Sequence, residues 1–236
     1  LKFPDMKETD LSSELTSFLL WGPDEFPKVF EEMGGINFLK ELAIMAKSIN
    51  PKIKLTMNED LILLDHPNSG DMFGGIYTEQ LNLFFDKLKQ AKELGIPLDT
   101  ATIQMNIWDL DPPNYQLLND TLKNIMDLGY GIGQPQVFIS IGNESFYGDG
   151  IFEMTSPLEN GETHERRQGQ IAYEIMRTYL AATGEADYGI HSISKNDGPY
   201  EGNEDYSRWC ILDLDGKPRY AYYMMMKALS EVIINP

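Results

Sequence analysis

Apolar residues return every three or four positions in five stretches of the chain, and between them lie short runs in which apolar and polar residues alternate. The first period is that of a helix burying one face, the second that of a strand. INFLKELAIMA sets Ile36, Leu39, Leu42, Ala43 and Ala46 on one helical stripe, and KIKLTMN, which reads as a strand, follows at once. QLNLFFDKLKQAKELG repeats the arrangement with Leu81, Phe84, Phe85 and Leu88; Gly95 is placed to end the helix, and TATIQMN reads as the next strand. A third unit runs from YQLLNDTLKNIMDLG to QVFISIG. A fourth runs from HERRQGQIAYEIMRTYLAATG, with Ile171, Ile175, Met176 and Tyr179 on one face, to DYGIHSIS. The closing helix, YAYYMMMKALSEVI, carries Tyr222, Met225, Met226, Leu229 and Ile233 at the same spacing, a stripe suited to core packing.

Four helix-then-strand units in series predict parallel strands covered by helices, hence an α/β fold, either a doubly wound sheet or a (β/α)8 barrel. Periodicity does not choose between the two. Polar and aromatic residues gather in the loops after the strands: NEDLILLDHPNSGD, NIWDLDPPN, GNESFYGDG and SKNDGPYEGNEDYSRW. In both architectures ligands bind at the carboxyl ends of the strands, so these loops are where function is to be sought. No composition break or linker marks a second domain, and 236 residues are read as a single domain, with residues 1–20 a poorly defined N-terminal segment.

Aspartate and glutamate number 37 against 19 lysine and arginine, a net charge of −18. A surface that acidic repels phosphate backbones and anionic headgroups, which argues against nucleic acid or membrane partners. Cys210 is the only cysteine, so no internal disulfide, cysteine-rich zinc site or iron–sulfur cluster can form. No run reaches the roughly 18 apolar residues of a membrane-spanning helix, and LKFPDMKETD does not open as a signal peptide does. Neither phosphate-cradling glycine string, G-x-G-x-x-G or G-x-x-x-x-G-K-[ST], occurs. GYGIGQP precedes a strand instead of opening a helix, so its glycines serve as helix stop and turn. A G-x-S-x-G serine is absent, and His66, His164 and His191 have no metal-ligand spacing. What remains is carboxylates beside aromatics and amides at strand ends: Glu59, Asp60, Asp109, Asp111, Glu144 and Asp197. Cleaving a glycosidic bond takes two carboxyl groups, one protonating the leaving oxygen and one attacking or activating water.

In this order, KSINPKIKLTMNED, KELGIPLDTATIQMN, the helix with Gln170-Ile171-Ala172-Tyr173, YGIHSISKND and LDLDGKPRYAYY resemble the second half of glycoside hydrolase family 10, the xylanase family. Asn50-Pro51, Lys54-Leu55, Asn58, Pro97, Asp99, Gln104, Gly189, Asp197, Asp213, Lys217, Pro218, Ala221 and Tyr222 match the family's patterns on its fifth, sixth and eighth strands. Over roughly residues 20–230 the resemblance implies a (β/α)8 barrel of which about four β/α units are present. The activity it implies is endo-1,4-β-xylanase-type retaining hydrolysis, with a xylan-like polysaccharide or oligosaccharide as partner and no cofactor or metal. By the same resemblance the protein is extracellular or on the cell surface. Sugar contacts are expected from Glu59, Asn106, Trp108, Asn196, Asp197 and Tyr200, with Trp108 and Tyr200 as stacking faces and Glu144 as the catalytic candidate. Trp209 is read as core.

Several positions depart from the family. Its nucleophile is the glutamate of I-T-E-L-D on the seventh strand, and VFISIGNES aligns there with Ile141, three residues before Glu144. Regular alternation puts Ile139, Ile141 and Asn143 on one face and Glu144 on the other. Gly142-Asn143-Glu144 also matches the N-E acid/base string of related barrel hydrolases, although one clear strand follows it where four are required. Asn106 stands for the sixth-strand histidine and Ile193 for the eighth-strand tryptophan. The family's acid/base string, W-D-V-x-N-E at the end of the fourth strand, does not precede TSFLLW, and the chain is expected to be a fragment of a longer protein. The competing expectation is a catalytically silent carbohydrate-binding relative that has lost the nucleophile.

Overall fold

The apolar stripes become helices and three of the four alternating runs become strands. The computed structural model describes residues 6–60, 76–108, 113–133, 136–140, 158, 160–184 and 216–234. In chain order the elements are β1 (Glu8–Ser13), α1 (Leu15–Trp21), α2 (Phe26–Glu32), α3 (Ile36–Ile49), β2 (Lys54–Asp60), α4 (Ile76–Glu93), β3 (Thr100–Trp108), α5 (Tyr115–Asp127), β4 (Gly131–Ile132), β5 (Gln136–Ser140), α6 (His164–Thr183) and α7 (Tyr220–Ile234). The five long helices sit on the five stripes, and β2, β3 and β5 on the first three alternating runs. DYGIHSIS lies outside the described residues. Four elements were not read from the sequence: β1 and α1, which fall within residues 1–20 or just beyond, α2, and the two-residue β4. Of the glycines in GYGIG, Gly129 follows α5 as its stop, at φ 90°, while Gly131 is itself strand.

The chain divides into two compact units. The first comprises Leu1–Leu61, Pro67–Gln104 and Thr121–Gly133. Its strands run in the order β1-β2-β3-β4, each pair parallel. One face of the sheet is apolar: Leu55 and Met57 of β2 and Ala101 and Ile103 of β3 are at most 1% exposed. They share a core with Phe84, Leu88 and Ala91 of α4 and Leu122 and Ile125 of α5. Gly95 ends α4 as expected, at φ 64°, a left-handed position that glycine takes without strain. At the amino ends of the strands Asp99 Oδ2 accepts from Leu55 N–H at 2.8 Å and Lys47 Nζ at 2.7 Å, tying α3, β2 and β3 together. Tyr130 Oη donates to the Leu88 carbonyl, 2.9 Å, and Lys92 Nζ to that of Leu128, 2.7 Å.

The second unit comprises Ile62–His66, Met105–Asp120 and Gln134–Pro236. Here β5 pairs with β3, whose last four residues belong to this unit. Thr163 caps α6, its hydroxyl accepting from Arg166 N–H, and Gly184 ends the helix at φ 68°. Ile171, Ile175, Met176 and Tyr179 of the predicted stripe are all at most 2% exposed. Gly169 lets α6 meet α7 closely: a Cβ there would stand 2.4 Å from Tyr220 Cδ1. Tyr173 Oη donates to Glu231 Oε2 at 2.5 Å, with the Arg177 guanidinium 5.4 Å and the Lys227 ammonium 4.8 Å from its ring centre. Gln168 Nε2 joins α6 to β5 through the Ile139 carbonyl, 2.7 Å. Burial, and then the Glu174 carboxylate, push the Tyr115 hydroxyl up to about 12. Among the described residues no helix is long and apolar enough to cross a membrane.

Candidate functional site

Opposite its apolar face the sheet of the first unit is polar, because period-two alternation in KLTMNED and TATIQ sets every second side chain there. Thr56, Asn58 and Asp60 of β2 lie beside Thr100, Thr102 and Gln104 of β3 in register. β1 adds Glu8 and Asp10, then breaks register between Asp10 and Ser12, so that Ser13 is the residue that comes to lie beside Asn58. That bulge gives the polar face of β1 a spacing of two and then three. In its lower layer Glu8 Oε1 accepts from Thr56 Oγ1 at 2.6 Å and Thr100 Oγ1 at 3.1 Å, and the two hydroxyls are 2.6 Å apart. Gly133 makes room for this layer. A Cβ on it would come within 3.1 Å of Thr102 Cβ, 3.2 Å of Thr56 Cγ2 and 3.3 Å of Glu8 Oε1. Above it, desolvation raises the Asp10 carboxyl, an Asn58 hydrogen bond lowers it, and Glu8 raises it further.

At the carboxyl end of the strands the chain leaves β1 through Glu14. Its N–H donates to the Asn58 carbonyl, 2.9 Å, and its φ of 54° and ψ of 31° are left-handed. Among the described residues no other non-glycine has positive φ. This conformation costs about 1–2 kcal/mol in an L-residue, and such strain concentrates at functional positions. Glu14 Oε1 accepts from Gln104 Nε2, 3.2 Å away across the polar face. A carboxyl group held by an amide, as that of Glu14 is by Gln104, can exchange a proton with a hydroxylic ligand.

Glu59, by contrast, follows Met57 onto the apolar side of the sheet and is 0% exposed. Oε2 accepts from Thr16 N–H at 2.8 Å, while Oε1 accepts from Ser17 N–H at 3.2 Å and Ser17 Oγ at 2.9 Å. Gln80 of α4 closes the network, donating to Ser17 Oγ at 2.6 Å, the Asp60 carbonyl at 2.5 Å and Glu59 Oε1 at 3.3 Å. Burial pushes the Glu59 carboxyl up, and the hydrogen bonds from Thr16 and Ser17 pull it back. In this arrangement its oxygens serve the first turn of α1, the donors a helix start leaves unpaired.

Of the residues expected to meet sugar, then, Glu59 lies in the core against α1. Asn106 and Trp108 are in the final residues of β3, their side chains outside the described set. Glu144, Asn196, Asp197 and Tyr200 lie outside the described residues, as do Asp109, Asp111, Ile141 and Ile193. Among the described residues no group of three or more histidine, cysteine or acidic side chains could hold a metal ion. The residue that sequence reasoning missed is Glu14. Thr9-Asp10-Leu11-Ser12-Ser13-Glu14 stands on the strand before β2, where the family resemblance calls for W-D-V-x-N-E, and agrees with it at Asp10 and Glu14. Two letters of six were the available signal.

No family model and no curated protein matches the chain. Solved structures do. A thermostable mutant of a xylanase from Cellvibrio japonicus superposes with a TM-score of 0.67 at 16% identity, over 98% of this chain and 67% of that one. Xylanase 10B from Thermotoga petrophila RKU-1, in complex with xylobiose, gives 0.60 at 17% identity over 98% of this chain and 62% of that one. Xylanase 10B from Thermotoga maritima gives 0.57 at 18% identity over 86% and 54%. The chain thus spans between about half and two thirds of the length of these structures. Likeness at this identity is likeness of fold: the α/β fold is that of part of a (β/α)8 barrel as family 10 xylanases build it.

Proposed function

We propose that the protein is a glycoside hydrolase of xylanase type, cleaving β-1,4-linked xylan or its oligosaccharides with retention, and that residues 1–236 form one partial-barrel domain of that kind. The observation that carries the reading is Glu14: a strained carboxyl residue at the end of a parallel strand, hydrogen-bonded to Gln104 of β3. The xylanase fold of the solved structures supports it. In this reading Glu14 protonates the glycosidic oxygen as the bond to the anomeric carbon breaks, and Glu144 attacks that carbon to form a glycosyl ester. Glu14 then takes a proton from the water that displaces Glu144, restoring both carboxyl groups. Asn106, Asn196 and Asp197 would hydrogen-bond the sugar, with Trp108 and Tyr200 as stacking faces, while Glu59 acts from behind the strand. No cofactor is needed, and the site of action is extracellular.

Ile141, at the aligned nucleophile position, favours a second reading, a silent relative that binds the sugar and leaves it intact. A 2,4-dinitrophenyl 2-fluoro-xylobioside separates the two, because its leaving group needs little protonation. The expected result is a one-to-one adduct by intact mass, mapping to Glu144. A folded protein that takes no adduct and releases no sugar from xylan, yet binds xylo-oligosaccharide by calorimetry, overturns the hydrolase in favour of the silent relative. In a hydrolase, Glu14→Ala lowers kcat/KM on xylan by about 10²–10⁴-fold, the usual weight of a general acid.

A further inference from the structure

Glu59 is the one fully buried carboxylate among the described residues, and the proposed mechanism has no chemical step for it. Besides the Ser17 hydroxyl and the Gln80 amide, its partners are the N–H groups of Thr16 and Ser17, the second and third residues of α1. Such donors are ordinarily satisfied by the side chain of the residue that precedes the helix. Here that residue is Glu14, and its side chain makes no cap hydrogen bond. It reaches Gln104 instead. We infer that Glu59 is a positioning residue, taking over the capping of α1 so that the Glu14 carboxyl stays turned into the site.

Two fixed points enclose Glu14. Before it, the chain is pinned where Glu14 N–H meets the Asn58 carbonyl at 2.9 Å. After it, the chain is pinned where Glu59 Oε2 takes Thr16 N–H at 2.8 Å and Oε1 takes Ser17 N–H at 3.2 Å. Between the pins Glu14 takes the left-handed conformation, φ 54° and ψ 31°. Asn58 and Glu59 are neighbours on β2, so a single strand end sets both pins, while Gln80 of α4 secures Ser17 Oγ and the Asp60 carbonyl behind them. With Glu59 removed, two helix N–H groups lose their acceptor in the core. The nearest replacement along the chain is the Glu14 carboxyl, which would swing back onto α1 and leave Gln104.

The inference rests on the proposed role of Glu14, and its test separates the two. The variants are Glu59→Leu, Glu59→Gln, which keeps one acceptor oxygen and one polar group in place, and Glu14→Ala. The substrates are phenyl and 2,4-dinitrophenyl β-xylobioside, of which only the first needs its leaving group protonated. Glu59→Leu should copy Glu14→Ala, lowering kcat/KM on the phenyl substrate by about 10²-fold, as a misplaced group does, and on the dinitrophenyl substrate by less than about threefold. Glu59→Gln should recover to within about tenfold of the wild type on the phenyl substrate. Equal losses on both substrates in Glu59→Leu, or none, while Glu14→Ala discriminates between them, overturn the positioning role and leave the proposed function standing. If Glu14→Ala does not discriminate, or the wild type cleaves neither substrate, the proposed function fails, and amide hydrogen exchange decides about Glu59. Thr16 and Ser17 amides exchanging at least about tenfold faster in Glu59→Leu, and near the wild-type rate in Glu59→Gln, uphold the clamp. Unchanged rates in Glu59→Leu overturn it.

Discussion

One residue's parity on β2 separates a carboxyl that faces the site from one that props it. Asn58 and Asp60 lie on the polar face beside Thr102 and Gln104, and Glu59 between them on the apolar one. The string NED at a strand end advertises carboxylates near a site, which the sequence made plain. Which of them faces the site depends on the side to which alternation turns each residue, and KLTMNED, buried on both faces from Leu55 to Glu59, has polar residues on both, so hydropathy did not disclose it. Burial also sets the pH behaviour of Glu59. Its carboxyl is raised above the ordinary 4.5 in the folded chain, so the folded state holds the proton more tightly than the unfolded state does. The stability this contributes is complete below about pH 4.5 and is lost as pH climbs through the raised value. Glu59→Gln removes that dependence. Thermal melts of variant and wild type should nearly coincide near pH 4, with the variant gaining relative Tm towards neutrality; a constant difference at all pH values would contradict the burial argument.

Among the elements, the long helices and three of the strands were legible because each shows one clean period. β1 was not. ETDLSS has one apolar residue, and its bulge replaces the period of two by a two-then-three spacing that matches no strand template. The helices α1 and α2 are seven residues each, too short for a stripe to emerge, and α1 draws its cap from a residue 45 positions from its own N-terminal neighbour, Glu14. At α6 and α7 two local rules compete. Gly169 lies inside a 20-residue helix, where alanine would gain about 1 kcal/mol of helix propensity. The Cβ would, however, meet Tyr220 Cδ1 at 2.4 Å, Tyr220 Cε1 at 3.0 Å and Met224 Cγ at 3.3 Å. Overpacking of that kind costs typically about 1–3 kcal/mol and should prevail. Gly169→Ala is therefore expected to lower stability in urea unfolding by up to about 2 kcal/mol net, the difference of those two effects; an increase would mean that Tyr220 yields freely. Tyr173→Phe, which leaves Glu231 without its hydroxyl donor, should lower stability in the same measurement.

For the whole molecule the dominant quantity is charge. With −18 spread over 236 residues, compact chains repel themselves, and the repulsion is screened as the Debye length falls from about 10 Å at 0.1 M salt to about 3 Å at 1 M. Tm in sodium chloride should rise steadily from low salt towards 1 M, a slope that scanning calorimetry reads directly; a flat or falling profile would mean that attractive pairs such as Lys47 with Asp99 outweigh the net charge. The architecture class followed from the order of helix and strand patterns, and the solved structures agree with it. The left-handed turn at Glu14 bears on how such a chain would age under mutation. Glycine at that position would relieve about 1–2 kcal/mol of backbone strain. A chain with no further use for the carboxyl could therefore become sturdier by a single change, and Glu14→Gly should melt higher than the wild type. Glutamate at position 14 forgoes that gain, which makes this position the first to read in any relative suspected of having fallen silent.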